Sequence, residues 1–291
     1  LVPSKEPGAA RKWVDAMKLG DASAVLALPA VSALAFSTRD GEADREEQSK
    51  ELEKGITTSL GPRLKEPGKI HDVFESVRKA RDESVALSLS IDEPTGLLVR
   101  APVRDAAAAD AAIRGVFELA KGEPFKELLR VHDVTSTNDE LPGLGRISAL
   151  TLVREPKETK DGKETKRGVD AGAPRKFDKG PLSSSSGVAW ILDQKMLALA
   201  AGPEPIVTLK IGAKPERKLA DEPSLKRFIT MVGNEATTVI VGQPLRLDPK
   251  RANLPTAPLA VAVGKKGSDA FVRVDISDGL FRELARWQMG F

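Results

Sequence analysis

The sequence contains no cysteine and no tyrosine, and it has only two histidines. Without cysteine the chain cannot form disulfides, iron–sulfur clusters, zinc–thiolate sites or a thiolate nucleophile. Aromatic residues make up 4% of the 291 residues, so the side chains on which nucleic-acid bases or sugars stack are scarce. These absences exclude histidine-rich metal sites and tyrosine-based acid–base chemistry.

The charges nearly cancel, with 45 basic and 42 acidic residues and a formal net charge of +3. Such a balance argues against a dedicated nucleic-acid binder. Hydrophobic residues are 41% and charged residues 30% of the chain, which is typical of a globular protein and not of a disordered one.

The longest apolar run covers residues 22–36 and is too short to span a bilayer, which needs about 20 apolar residues. Asp15 and Asp21 lie before or at its start, and acidic residues argue against a signal peptide there. The run instead predicts two strands, at 24–28 and 32–37, joined by a proline-containing turn.

Residues 155–186 are rich in charge and serine and have almost no large apolar side chains. Asp161-Gly162 at their centre suits a hairpin turn. We therefore expect a charged hairpin or linker at 155–186 between an N-terminal α+β lobe (1–154) and a C-terminal α+β lobe (187–291).

Elsewhere in the chain, the spacing of apolar residues alternates between the period of a helix and the period of a strand. Helices are predicted at 42–60, 70–82, 105–121, 223–232 and 278–289, with Asp105 as an N-cap. Four segments repeat two strands and a helix, at 24–60, 84–121, 187–232 and 257–289. The predicted fold is α+β, with two related lobes of mostly antiparallel sheet and helices packed on one face.

Two motifs are typical of a metal site or a catalytic site, but the further residues that such a site needs are missing from each. His71-Asp72 and His132-Asp133 are the only histidine sites, and they would form a metal centre only if both pairs met; otherwise they are surface or hydrogen-bonded histidines. Ser76 and Lys79 match the Ser-x-x-Lys of penicillin-recognising enzymes without the partner motifs.

Other motifs have simpler structural explanations. The run Ser183–Ser186 is interpreted as a linker. The incomplete dinucleotide motif that starts at Gly143-Leu144-Gly145 is explained by a turn at 141–143, and Gly264–Ser268 is predicted to be a hairpin turn. Trp190 and Trp287 are predicted in the core. The sequence thus assigns no catalytic, cofactor-binding or metal-ligating residue, and no cofactor.

The chain resembles bacterial envelope proteins of unknown function that are built from repeated strand-pair-plus-helix units. The residues that carry the resemblance are Leu28-Pro29-Ala30, the alanine-rich helix from Asp105 to Lys121, and the segment Leu219–Lys226. The resemblance implies an extracytoplasmic location and no known activity. Since the sequence starts with leucine and not with methionine, we expect an upstream segment, a leader or a lipid anchor, to have been removed or left out.

Three hypotheses about function follow. The leading one is a non-enzymatic scaffold or interaction module of the envelope, whose protein partner adds a strand to a sheet edge. The alternative is a binding protein for a small or lipidic ligand held between the lobes or under the helices. The third is a hydrolase with a dispersed carboxylate or Ser/Lys site, which a cleft that holds His71, His132 or Ser76 beside several acidic residues would support.

Overall fold

The computed structural model describes residues 8–91, 94–129, 133–141, 145–153, 185–247 and 257–288. Within these ranges the helices are α1 (Ala9–Ala16), α2 (Ser23–Leu26), α3 (Glu42–Leu60), α4 (Gly68–Ala80), α5 (Ala106–Ala120), α6 (Glu123–Leu129), α7 (Pro205–Ala213), α8 (Lys226–Val232) and α9 (Asp278–Gln288). The strands are β1 (Leu34–Arg39), β2 (Ser84–Ser90), β3 (Gly96–Pro102), β4 (Asp133–Leu141), β5 (Gly145–Val153), β6 (Ser185–Leu192), β7 (Met196–Gly202), β8 (Ala236–Gly242), β9 (Leu259–Lys266) and β10 (Asp269–Ile276). None of these helices has the length and apolar character needed to cross a membrane.

The ten strands form one antiparallel sheet in the order β10-β9-β8-β1-β2-β3-β7-β6-β5-β4, so the predicted α+β class is confirmed. Strands from the two halves of the chain are joined directly, because β1 pairs with β8 and β3 pairs with β7. The strands expected in lobes 1–154 and 187–291 therefore share a single sheet. The physical reason is that every isolated hairpin has two edges with unpaired backbone groups, which neighbouring hairpins satisfy.

One face of the sheet, here called the inner face, is covered by α2, α7 and α8. Many side chains of this face are small, which lets the helices approach closely. Where a larger side chain is present, the helix has a small residue instead: a side chain at Gly212 of α7 would collide with Leu98 of β3. Buried Val25, Leu209 and Phe228 from the three helices complete the main hydrophobic core. The small residues of this face include Ala35, Ala86, Ala189, Ala198, Ala200, Ala260 and Ala262.

The opposite face, here called the outer face, carries α5 beside β4, β5 and β6. Phe117 of α5 packs on Trp190 of β6 with ring centroids 4.4 Å apart, and it also contacts the cluster of Val134 and Leu150. Trp190 is buried, which confirms its predicted core position. Helix α4 packs on α5, and α3 packs on α4. Helices thus lie against both faces of the sheet.

The predicted strand–strand–helix units are present in three of four cases, as β2–β3–α5, β6–β7–α7 and β9–β10–α9. The first unit differs, because residues 24–28 begin in α2 and not in a strand. Asp21 stabilises the start of that helix by accepting hydrogen bonds from the N–H and hydroxyl of Ser23. In the third unit the predicted helix at 223–232 corresponds to α8, and an additional helix that the sequence did not predict, α7, precedes it.

Two local predictions are confirmed at the level of single residues. Helix α3 has the predicted bounds, Glu42–Leu60. Asp105 caps α5, because its carboxylate accepts the N–H of Ala108 at 3.0 Å. Most of the charged segment 155–186, up to residue 184, lies outside the described residues. Its last two residues, Ser185 and Ser186, belong to β6 and not to a linker.

Candidate functional site

The sequence analysis allowed a histidine metal centre only if both His-Asp pairs met, and the structure describes only one of the two histidines. His71 lies on α4 with an exposed side chain, and its Nδ1 is 2.6 Å from a carboxylate oxygen of Glu53. Arg78 donates to the other oxygen of Glu53 at 2.7 Å, so this carboxylate joins α3 to α4. His132 lies outside the described residues. In the described ranges no group of three or more His, Asp or Glu side chains is placed to hold a metal.

The Ser-x-x-Lys motif lies on the exposed surface of α4. Ser76 donates its hydroxyl to the carbonyl of Asp72 at 2.9 Å, one turn earlier. Lys79 pairs with Glu75 at 2.8 Å and does not contact Ser76. This geometry is that of a solvated helix, in which no described residue is placed to act as a base for the serine.

One of the two glycine motifs forms a turn within the described residues. Gly267 between β9 and β10 adopts φ +61, which glycine tolerates best, so the predicted hairpin turn at 264–268 is confirmed. Of the other glycine motif, residues 142–144 lie outside the described residues, and the side chain of Trp287 does as well.

The exposed backbone of β10 is the most distinctive feature of the sheet. β10 pairs with β9 along eight residues without a register shift. Ser277 continues the register by donating its N–H to the carbonyl of Pro258 at 3.1 Å. Because N–H and C=O groups alternate in direction along an antiparallel ladder, the odd-numbered residues of β10 bond to β9 and the even-numbered ones point outward. Among the described residues, none bonds to the outward groups of Val272 and Val274.

The side chains of these even-numbered residues are apolar and exposed. Val272 is 66% exposed, Val274 is 53% exposed and Ile276 is 37% exposed. They lie on the outer face and continue an apolar row across the sheet, since Val274 lies opposite Val261, Val261 opposite Ile240, and Ile240 opposite Phe36. We call the outward backbone groups and side chains of Ala270, Val272, Val274 and Ile276 the β10 edge.

The inner side of β10 is fixed to α8 by charge. Arg273 donates to the carbonyls of Met231 at 2.5 Å and Val232 at 3.3 Å, and it forms an ion pair with Glu235 at 2.7 Å. Its guanidinium carbon also lies 3.9 Å from the centroid of the Phe271 ring. These contacts fix the position of β10 from the inner face. They do not use its outward backbone groups, so the β10 edge is ordered and available before any partner binds.

The other edge of the sheet has a different character. β4 ends the sheet beyond β5, and its described exposed side chains are polar or charged: Asp133, Thr135, Ser136, Thr137, Asn138 and Glu140. Polar and charged side chains on an edge strand discourage pairing with another chain. β4 is therefore protected in a way that β10 is not.

The sequence matches no protein-family model and no curated protein. Among solved structures, crystal form III of TP0453, a bacterial envelope protein, aligns with 10% identity and a TM-score of 0.33 over 90% of this chain and 85% of that chain. A similarity at this TM-score carries no inference about function.

The sequence analysis predicted two strands and a helix within 257–289, but it did not identify either strand as an edge of the sheet. The alternation in the sequence Ala-Phe-Val-Arg-Val-Asp-Ile is visible, with the apolar set at even positions. Which strand lies at an edge depends on pairings between distant segments, and that information is not contained in a local period.

Proposed function

We propose that this protein is a non-enzymatic bacterial envelope protein that binds a protein partner by accepting one of the partner's strands at the β10 edge. The β10 edge carries this proposal, because it combines outward backbone groups with exposed Val272 and Val274. Strand addition uses these two features together: main-chain hydrogen bonds supply affinity, and alternate side chains supply specificity.

The chemistry of the edge defines the partner segment. It is an extended segment whose alternate side chains are apolar and β-branched, since these pack beside Val272, Val274 and Ile276 on the outer face. Arg273 and Asp275 on the inner side already have partners, Glu235 and Arg227, so the segment's intervening positions take small or uncharged side chains.

The location belongs to the same proposal. The resemblance of the alanine-rich α5 and of Leu219–Lys226 to envelope proteins supports an extracytoplasmic site of action, with a lipid anchor upstream of the chain. A partner confined to the same layer would meet the β10 edge at a high effective concentration.

The experiment replaces Val274 by proline. The N–H of Val274 points outward, so Val274→Pro removes a hydrogen bond to the partner while leaving the β9–β10 ladder intact. Crosslinked affinity purification of the full-length protein from its own cells, read by mass spectrometry, should recover a stoichiometric partner with the native chain and lose it with Val274→Pro. Crosslinks should map to β10.

Val274→Thr is the matched control, because it keeps the outward N–H and a β-branched shape and removes only apolar surface. It should retain the partner at reduced yield. Circular dichroism of both variants verifies that the fold is unchanged. Recovery of the same partner with Val274→Pro would contradict strand addition, and turnover of a substrate by a chain that recovers no partner would contradict the non-enzymatic function.

A further inference from the structure

A groove of about 510 Å³ opens on the inner face, between α7 and the turn that follows α2. Its floor is formed by Ser88 of β2 and Leu98 of β3, and Ile211 of α7 forms an apolar wall. The opposite wall is Ser32, and Lys210 lies at the rim. This volume lies in the range of small-molecule sites.

The floor carries a polar group that the described protein does not satisfy. Ser88 is 4% exposed, and its hydroxyl has no hydrogen-bond partner in the described ranges. The neighbouring hydroxyls do have partners: Ser32 donates to the carbonyl of Pro29 at 2.7 Å, and Thr208 donates to that of Glu204 at 3.1 Å. The Ser88 hydroxyl lies at the surface of the groove and no described residue bonds to it, so it is available to a ligand atom or a water molecule.

The rim is cationic. Lys210, Lys214 and Arg217 line the groove together with one acidic residue, Glu216. Arg217 is compensated by Glu222 at 3.1 Å, whereas Lys210 forms no ion pair with any described residue. Lys214 directly follows the end of α7 and lines the same groove as Lys210, so both ammonium groups belong to one rim.

We propose that this groove binds an amphiphilic hydroxy acid. Lys210 and Lys214 contact its carboxylate, the apolar chain lies against Leu98 and Ile211, and the Ser88 hydroxyl bonds to the ligand's own hydroxyl. The site is separate from the β10 edge, since the groove lies over β2 and β3 near the middle of the sheet, and it does not depend on the proposed partner.

The test is isothermal titration of the full chain with 3-hydroxydecanoate below its micellar concentration. We expect saturable binding that Lys210→Glu weakens by about tenfold, the effect of losing one charge-assisted contact. Lys226→Glu, at an exposed lysine of α8, should leave the affinity unchanged. Decyltrimethylammonium, with the opposite charge, should not bind.

Ser88 is tested by two variants. Ser88→Ala keeps the space and matches the alanines of this face, so it should fold and should lower the affinity for 3-hydroxydecanoate but not for decanoate. Ser88→Leu should fill the floor and abolish binding. Methyl resonances of Leu98 and Ile211 should shift on titration, and those of Leu150 on the outer face should not. Absence of saturable binding, equal affinity for the cationic amphiphile, or unchanged binding by Ser88→Leu would overturn the proposal.

Discussion

Arg78 of α4 donates a hydrogen bond of 2.7 Å to Glu53 of α3, and this contact ties the projecting helix α3 to the rest of the fold. The Arg78 hydrogen bond, followed by that of His71, lowers the pKa of Glu53 below its usual value of 4.5. A carboxylate whose pKa is lower in the folded state stabilises the fold above its unfolded-state pKa. That contribution is lost as the pH falls through the folded-state pKa.

The first prediction follows from that sign. Glu53→Gln should lower the free energy of unfolding at pH 7 by less than about 1 kcal/mol, because the pair is near the surface and screened. The difference from the native chain should shrink as the pH falls below 4.5. Urea unfolding at pH 7 and at pH 3 measures it. Glu46→Gln, which removes an exposed i,i+4 pair with Lys50, is the control and should have a smaller effect.

The second prediction concerns close backbone approach in the sheet. A side chain at Gly264 of β9 would collide with the carbonyl of Glu235, where β8 departs from regular register. Gly264→Ala should therefore destabilise the protein by about 1–3 kcal/mol, the usual cost of overpacking. Gly55→Ala on exposed α3 meets no neighbouring atom and should stabilise by about 0.5–1 kcal/mol. Thermal melts should show a lower melting temperature for Gly264→Ala and a higher one for Gly55→Ala. Shifts of the same sign for both variants would contradict this prediction.

Local sequence patterns predicted individual helices and strands better than they predicted the order of the strands in the sheet. Helix α3 and the cap at Asp105 follow from helical periodicity and a favourable N-cap, which are encoded within a few residues. α7 was missed because Ile206, Val207 and Ile211 are β-branched and the helix has apolar residues on all sides. From its sequence alone, such a segment is hard to distinguish from a buried strand. The groove and the β10 edge depend on which distant strands meet, so they could not be predicted.

The third prediction tests the small-residue surface under α7. Ala200 and Ala189 lie opposite each other in β7 and β6, and neither has any exposed surface. Ala200→Leu has no room beneath α7, and we expect it to destabilise the chain by about 1–3 kcal/mol. Ala201→Leu, one residue away on the outer face and partly exposed, should cost much less. Chemical denaturation measures the free energy of unfolding of both variants. A similar decrease for Ala200→Leu and Ala201→Leu would show that α7 does not pack on Ala200.

The last prediction separates the two sides of β10. Arg273→Ala leaves the carbonyls of Met231 and Val232 and the carboxylate of Glu235 without their donor. Leaving such groups unsatisfied costs about 1–3 kcal/mol, whereas Val274→Thr on the exposed side should change stability by no more than about 0.5 kcal/mol.

Amide hydrogen exchange gives the site-resolved measurement. The odd-numbered amides of β10, which bond to β9, should exchange faster in Arg273→Ala, because the strand loses its attachment to α8. The outward amides of Val272 and Val274 should exchange fast in the free native chain and become protected only when a partner strand is added. If Arg273→Ala left the odd-numbered amides as protected as in the native chain, α8 would not be what holds β10 in place. The preorganisation of the edge would then need another cause.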